Sequence, residues 1–494
     1  MKSKIERGDA VTRREIPTRY KMTTDIPAGI LTPDTVETRL GTLRFFDGFP
    51  DEATVQMVYD NLDFQRAVQA FLAALPAAML YQVRMGWGTF GPANQTMLIT
   101  ESFLDSHGVF PPANSETVYN WALIDTKEGP VVIEMPPNGL GYINDMWGRY
   151  VIDVGRIGPD RGAGGKYLLL PPGYTGEVPD GYFVVHSRTY ANVFQFRAFV
   201  KGGDLQSAIE NTKQHFRVYP LDYAANPPAT RFVNISGKYF NTIPATDASF
   251  FEHVAQVVQE EPLDTIDPET RGLLAAVGIR KDRPFAPDAR MQRILAEAAS
   301  VGAATGRALA FSPRDPNAYF YPGSAWKMSW AGNDYQFSPD GVLDVDSRAF
   351  YFFVGFGISP AQTVKMVGAG SQYAFTEHDA GGQYLDGGKT YRLHLPPNIP
   401  AKDFWSVIVY DPQTRSMLQT DQRFPSLSSQ KESISINPDT SVDLYFGPEP
   451  PAGKKSNWIQ TIPGKGWFTY LRLYGPLEPW FDKTWRPGEI ERID

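Results

Sequence analysis

Asn114-Ser-Glu-Thr-Val-Tyr119 puts an amide, a carboxylate and a phenol in one short stretch, and Arg149 adds a guanidinium further along. Brought together, these groups suit an anionic or hydroxylated ligand. Asn114 and Arg149 would bind it, Glu116 and Tyr119 would move a proton, and His107 just upstream is a third catalytic candidate. A second set is Asn457, Trp458 and Arg472. Here Trp458 offers an apolar wall and Arg472 a bidentate clamp for an anion. The plainer alternative makes Asn114 and Glu116 braces of a loop, with Arg149 paired to Glu116. In that alternative Arg472 is an inward strand residue paired with Asp403 or Asp411, and Trp405, Trp458 and Trp467 are core.

Several chemistries drop out. The chain has no cysteine, which removes thiol nucleophiles, disulfides, Cys-ligated zinc and iron–sulfur clusters. Its 6 histidines show no His-x-x-x-His or His-x-His spacing, so no metal ligands are assigned; a divalent metal gathered from distant residues stays open. Ser324-Ala-Trp-Lys327 and Ser428-Ser-Gln-Lys431 lack the companion motifs of serine acyl-enzymes, and no Gly-x-Ser-x-Gly elbow occurs. The glycine-rich run from Gly158 to Lys166 departs from the phosphate-loop spacing and continues into Tyr167, so it reads as a hairpin or a lid. No nucleotide cofactor is expected. A net charge of −8 without a basic block argues against nucleic acid as a partner. No apolar run approaches the ~20 residues of a membrane span. The start lacks the apolar stretch of a secretory signal, so the expected compartment is the cytoplasm as the sequence stands, or the periplasm if a leader has been trimmed.

At 494 residues the chain exceeds one ordinary core, and 42% hydrophobic with 13% aromatic residues describes a folded protein. Residues 1–50 read as an N-terminal arm. Apolar spacing over residues 52–74 predicts an amphipathic helix that ends or kinks at Pro76, within a helical segment spanning 51–100. Residues 101–245 carry short β-rich runs at 118–124, 131–134, 150–154, 167–170 and 182–185 between Gly and Pro breaks, then a short helix at 205–216. A helical insert follows over 246–360, with helices at 250–258, 268–277, 288–309 and 347–356. Residues 361–494 return to β. The fold class is therefore mainly β with a helical domain.

These patterns resemble the paired DUF1254/DUF1214 proteins. Asn114-Ser-Glu-Thr-Val-Tyr119 and Gly148-Arg-Tyr150 are similar to the DUF1254 motifs, with Glu116 where Asp is usual. Leu385-Asp-Gly387, Tyr391-Arg-Leu-His-Leu-Pro396, Phe404-Trp-Ser406, Tyr410-Asp411, Asn457-Trp458 and Arg472-x-Tyr474-x-Pro476 are similar to the DUF1214 motifs, with Gly475 where an aromatic is frequent. The resemblance implies an immunoglobulin-like sandwich, a small helical domain and a jelly-roll-like C-terminal sandwich. It implies no reaction. The expected function is an enzyme, a hydrolase in the first instance, acting on a small molecule in a cleft between the two β domains. One alternative is a non-catalytic binding protein for a carbohydrate or envelope component; another is a structural homo-oligomer.

Overall fold

A computed structural model describes residues 20–200, 204–328 and 334–494; residues 1–19 of the expected arm lie outside them. The rest of the arm holds a three-stranded meander over Thr35–Thr38, Gly41–Phe46 and Phe49–Pro50. Asp51 then starts helix α1 (Glu52–Gly88) by accepting the Thr54 N–H at 2.7 Å. This helix does not end at Pro76. It runs on for 37 residues, because the missing N–H of Pro76 falls in a fully packed turn where Leu75, Ala77 and Ala78 are sealed from water. Among the described residues no helix is long and apolar enough to cross a membrane.

Helix α2 (Leu205–His215) lies on the N-terminal β unit, while α3 (Ser249–Glu260), α4 (Pro268–Ala276), α5 (Ala289–Phe311) and α6 (Val345–Val354) gather around α1 or one another. Their bounds fall within two residues of the expected ones. Small residues let α1 and α5 approach closely. A Cβ added at Gly302 of α5 would lie 2.5 Å from Cδ1 of Phe71 on α1. That ring is stacked on Phe250 at 3.9 Å and has nowhere to go.

The N-terminal β unit has two sheets on one shared core. One sheet orders Arg231–Asn234, Thr96–Ile99, Val118–Asp125, Ala191–Ala198, Gly139–Asp145 and Tyr150–Gly155. The other orders Phe183–His186, Gly165–Leu170, Val131–Met135 and Arg217–Pro220. Ala191–Ala198 and Gly139–Asp145 are central strands that the sequence reading passed over. Gly139 looks like punctuation but is a packing requirement, since a Cβ there would stand 1.5 Å from the Phe196 ring. The glycine-rich loop is not the expected hairpin: it crosses from Tyr150–Gly155 in one sheet to Gly165–Leu170 in the other, and Asp160 braces the crossing by accepting N–H groups from Gly155 and Gly164 and the Tyr167 hydroxyl.

The C-terminal β unit also has two sheets. One orders Lys327–Met328, Ser371–Thr376, Phe468–Pro476, Ala401–Tyr410 and Ser426–Ser428; the other orders Trp458–Gln460, Val442–Gly447, Tyr391–Leu395 and Ile490–Arg492. Trp405 and Trp467 fill the space between them. The five-stranded sheet is buried a second time. Its other face presents Tyr373, Phe375, Ile408, Tyr410, Phe468 and Tyr470 to a core shared with the helices and with Phe110, Tyr119 and Trp121 of the N-terminal unit.

Gly302→Ala tests the close helix crossing. The added methyl has to displace a stacked ring, so unfolding in denaturant is expected to show a loss of about 1–3 kcal/mol; an unchanged midpoint would refute the crossing.

Candidate functional site

Strand period places the polar groups. In Ala191–Ala198 the side chains of Phe194 and Phe196 enter the N-terminal unit's own core, while Ala191 and Val193 join the core toward the helices. Gln195 and Arg197 share that second face. In Phe468–Pro476, Leu471 and Leu473 enter the C-terminal unit's core, so Phe468, Tyr470, Arg472 and Tyr474 face the opposite way. Two buried arginines from different sheets therefore meet at one seam.

They meet in a cavity of about 50 Å³ lined by Tyr119, Tyr142, Gln195, Arg197, Tyr373 and Arg472, with the Pro111–Pro112 segment and the end of α6 closing it. Arg197 is 8% exposed and Arg472 4%. Neither makes an ion pair with a carboxylate among the described residues. One terminal nitrogen of Arg472 donates to the Pro112 carbonyl at 2.9 Å, to the Ala113 carbonyl at 3.3 Å and to Tyr410 Oη at 2.7 Å. Its Nε is sealed without a partner. Arg197 donates to Tyr373 Oη at 3.4 Å. Rings complete the setting, with the Arg472 guanidinium 4.9 Å from the Tyr373 ring centre and 5.2 Å from that of Tyr470.

Burial works against the charge of both guanidiniums, but the surrounding phenol oxygens outweigh it and both stay protonated. Burial likewise pushes the phenols of Tyr119, Tyr142, Tyr410 and Tyr474 upward. Tyr373 behaves differently. Burial raises it too, but Arg197 and Arg472 on either side more than offset this and hold it below the ordinary tyrosine value. Its hydroxyl also lies 2.5 Å from Ser371 Oγ. The remaining walls are held by a relay in which Trp121 donates to Gln195 at 2.9 Å and Gln195 donates to Tyr142 at 2.9 Å.

A family model described as "Protein of unknown function (DUF1254)" matches residues 93–220, and one described as "Protein of unknown function (DUF1214)" matches residues 370–478. The chain belongs to the proteins that pair these two domains. Each domain supplies one guanidinium: Arg197 from DUF1254 and Arg472 from DUF1214. Among solved structures, the VPA0106 protein of Vibrio parahaemolyticus is similar at 18% identity and a TM-score of 0.55, over 87% of this chain and 100% of that one. That likeness is one of fold. A protein from Burkholderia cenocepacia aligns at 12% identity and a TM-score of 0.40, over 88% of this chain and 96% of that one. No curated protein matches the chain.

Of the residues singled out in the sequence, Tyr119 and Arg472 line the cavity. Asn114 stands just behind it, donating to Tyr474 Oη at 2.7 Å and to Thr117. The others are elsewhere. Glu116 accepts hydroxyls from Ser115, Ser426 and Ser428, so this expected acid–base residue clasps the DUF1254 motif to the DUF1214 sheet. Arg149 pairs with Asp145 at 2.8 Å, not with Glu116. Arg472 pairs with neither Asp403 nor Asp411; Asp411 is taken by Lys465. His107 is largely exposed and pairs with Asp105. Asn457 fastens the Ser435 backbone to the Asp443 carbonyl, and Trp458 donates to the Gly447 carbonyl; the first sits in the turn before, and the second at the start of, the edge strand of the outer four-stranded sheet. Among the described residues no three His, Asp or Glu side chains gather to hold a metal.

Arg197, Tyr373, Tyr142 and Gln195 were missed. The available signal was a Phe-Gln-Phe-Arg strand whose polar positions alternate with core phenylalanines. An absorbance titration of the 24 tyrosines is expected to show one phenol ionising below the ordinary tyrosine value of about 10. Tyr373→Phe removes that early step; its persistence in the variant would assign it elsewhere.

Proposed function

We propose that the chain is an enzyme for a small organic anion, which it binds between Arg197 and Arg472 while Tyr373 takes up a proton. One observation carries the reading: two buried guanidiniums, one from each domain, face a shared cavity with phenols around them and no carboxylate among the described residues to neutralise them. A carboxylate ligand supplies the missing charge. The cavity of about 50 Å³ has room for a few waters or an anion of few heavy atoms.

Tyr373 is the group whose proton affinity is set apart from its neighbours, and pairs of titratable groups driven apart in this way mark acid–base assignments. When the proton comes from a water in the cavity, the hydroxide adds to an ester carbonyl of the substrate, the C–O bond to the alcohol breaks, and Tyr373 returns the proton to the departing oxygen, which is hydrolysis. When it comes from a carbon beside the carboxylate, the electron pair moves into that carboxylate and both guanidiniums bear the added charge. Ser371 Oγ is next in line to receive or return the proton. We also read the two β units as an immunoglobulin-like and a jelly-roll-like sandwich, supported by two mainly antiparallel sheets on a shared core in each.

Calorimetry with acetate, and proton NMR with two- to four-carbon hydroxy and oxo acids and their esters, test the reading. Arg197→Gln is expected to weaken acetate binding by about tenfold or more. Tyr373→Phe should keep acetate within a few-fold and lose turnover by about a hundredfold. Acetate binding that ignores Arg197→Gln sinks the site, and turnover that survives Tyr373→Phe reduces the protein to binding or to another base.

A further inference from the structure

Helix α6 is a wall between two cavities. Tyr351 and Val354 face the one described above, whereas Arg348 and Phe352 face a second on the other side. The second has a volume of about 550 Å³ and lies where the DUF1254 sheet meets α1, α4 and α6. Cavities of that size at a domain junction suit whole small molecules. Trp147, Tyr150, Phe337 and Phe352 give it aromatic walls.

Its charges are unevenly satisfied. Asp145 is saturated, accepting the N–H groups of Trp147 and Arg149 and the Arg149 Nε. Asp267 caps α4 through Thr270, and Asp264 is exposed to water. Arg149 is fixed by Asp145 and by the Thr265 carbonyl at 2.7 Å, yet one of its terminal nitrogens is buried without a partner. The Arg348 guanidinium makes no hydrogen bond or ion pair among the described residues. Its Nε is sealed, Asp267 attracts it, and Arg149 is near enough to repel it. Arg188 adds a third guanidinium on the exposed side.

We propose that this second cavity binds an aromatic carboxylate, with the carboxylate between Arg149 and Arg348 and the ring against Tyr150, Phe337 and Phe352. A carboxylate relieves the repulsion between the two arginines and uses their spare donors. The ring replaces water on a mostly apolar wall. The site is independent of the smaller cavity, whose arginines lie across α6.

Calorimetry of the full chain with 2-naphthoate is expected to show saturable binding at one site. Arg348→Met weakens it by about tenfold or more, as does using 2-naphthamide, which lacks the charge. Arg348→Lys restores part of the affinity. Because the deleted guanidinium makes no hydrogen bond or ion pair among the described residues, Arg348→Met should melt within a few degrees of the parent, so lost binding is not lost folding. Arg197→Gln leaves 2-naphthoate binding unchanged. No saturable binding, equal binding of the amide, indifference to Arg348→Met, or loss with Arg197→Gln would each overturn the proposal.

Discussion

Two guanidiniums buried at the seam between the β units, neither meeting a carboxylate among the described residues, set conditions that the surrounding chain has to satisfy. Removing such an ion from water costs several kcal/mol. Carbonyls and phenol oxygens have to offset that cost. For Arg472 the acceptors are the Pro112 and Ala113 carbonyls and Tyr410 Oη, and Tyr410 in turn donates to the same Ala113 carbonyl at 2.5 Å. The loop before the Asn114 motif is therefore locked to the DUF1214 sheet. Asn114 to Tyr474 and Glu116 to Ser426 and Ser428 extend the same lock on either side.

A sheet that builds such a seam has to be buried on both faces. That explains the aromatic content of Phe468–Pro476, where leucines serve one core and Phe468, Tyr470 and Tyr474 serve the other. It also explains the helical layer, which covers what the two β units leave open around the seam. Helix α1 gives Ala67, Ala70, Phe71 and Ala74 to packing with its fellow helices, and further along Trp87 stacks at 4.8 Å on Trp121 of the DUF1254 sheet.

Much of this was legible in the sequence. Helix positions followed from apolar spacing, and the order β, α, β followed from Gly and Pro density. Long-range closure was not legible. Arg197 alternates with Phe194 and Phe196, which reads as a solvated polar face, and only the helices on that side turn it inward. Gly139 read as a turn because a glycine's need to avoid a ring from a neighbouring strand has no local mark. Asn457 and Trp458 stand near Arg472 in the chain, but they lie at the edge of the outer sheet, which they fasten. Glu116 looked like a catalytic carboxylate because its three serine partners include two that come from the other end of the chain.

Splitting the arginine pair between two domains has a consequence for how such a protein can be inherited. A gene that lost or exchanged either domain would encode one arginine of the seam without the other and without the acceptors across it. Changes to the seam on one side have to be answered on the other.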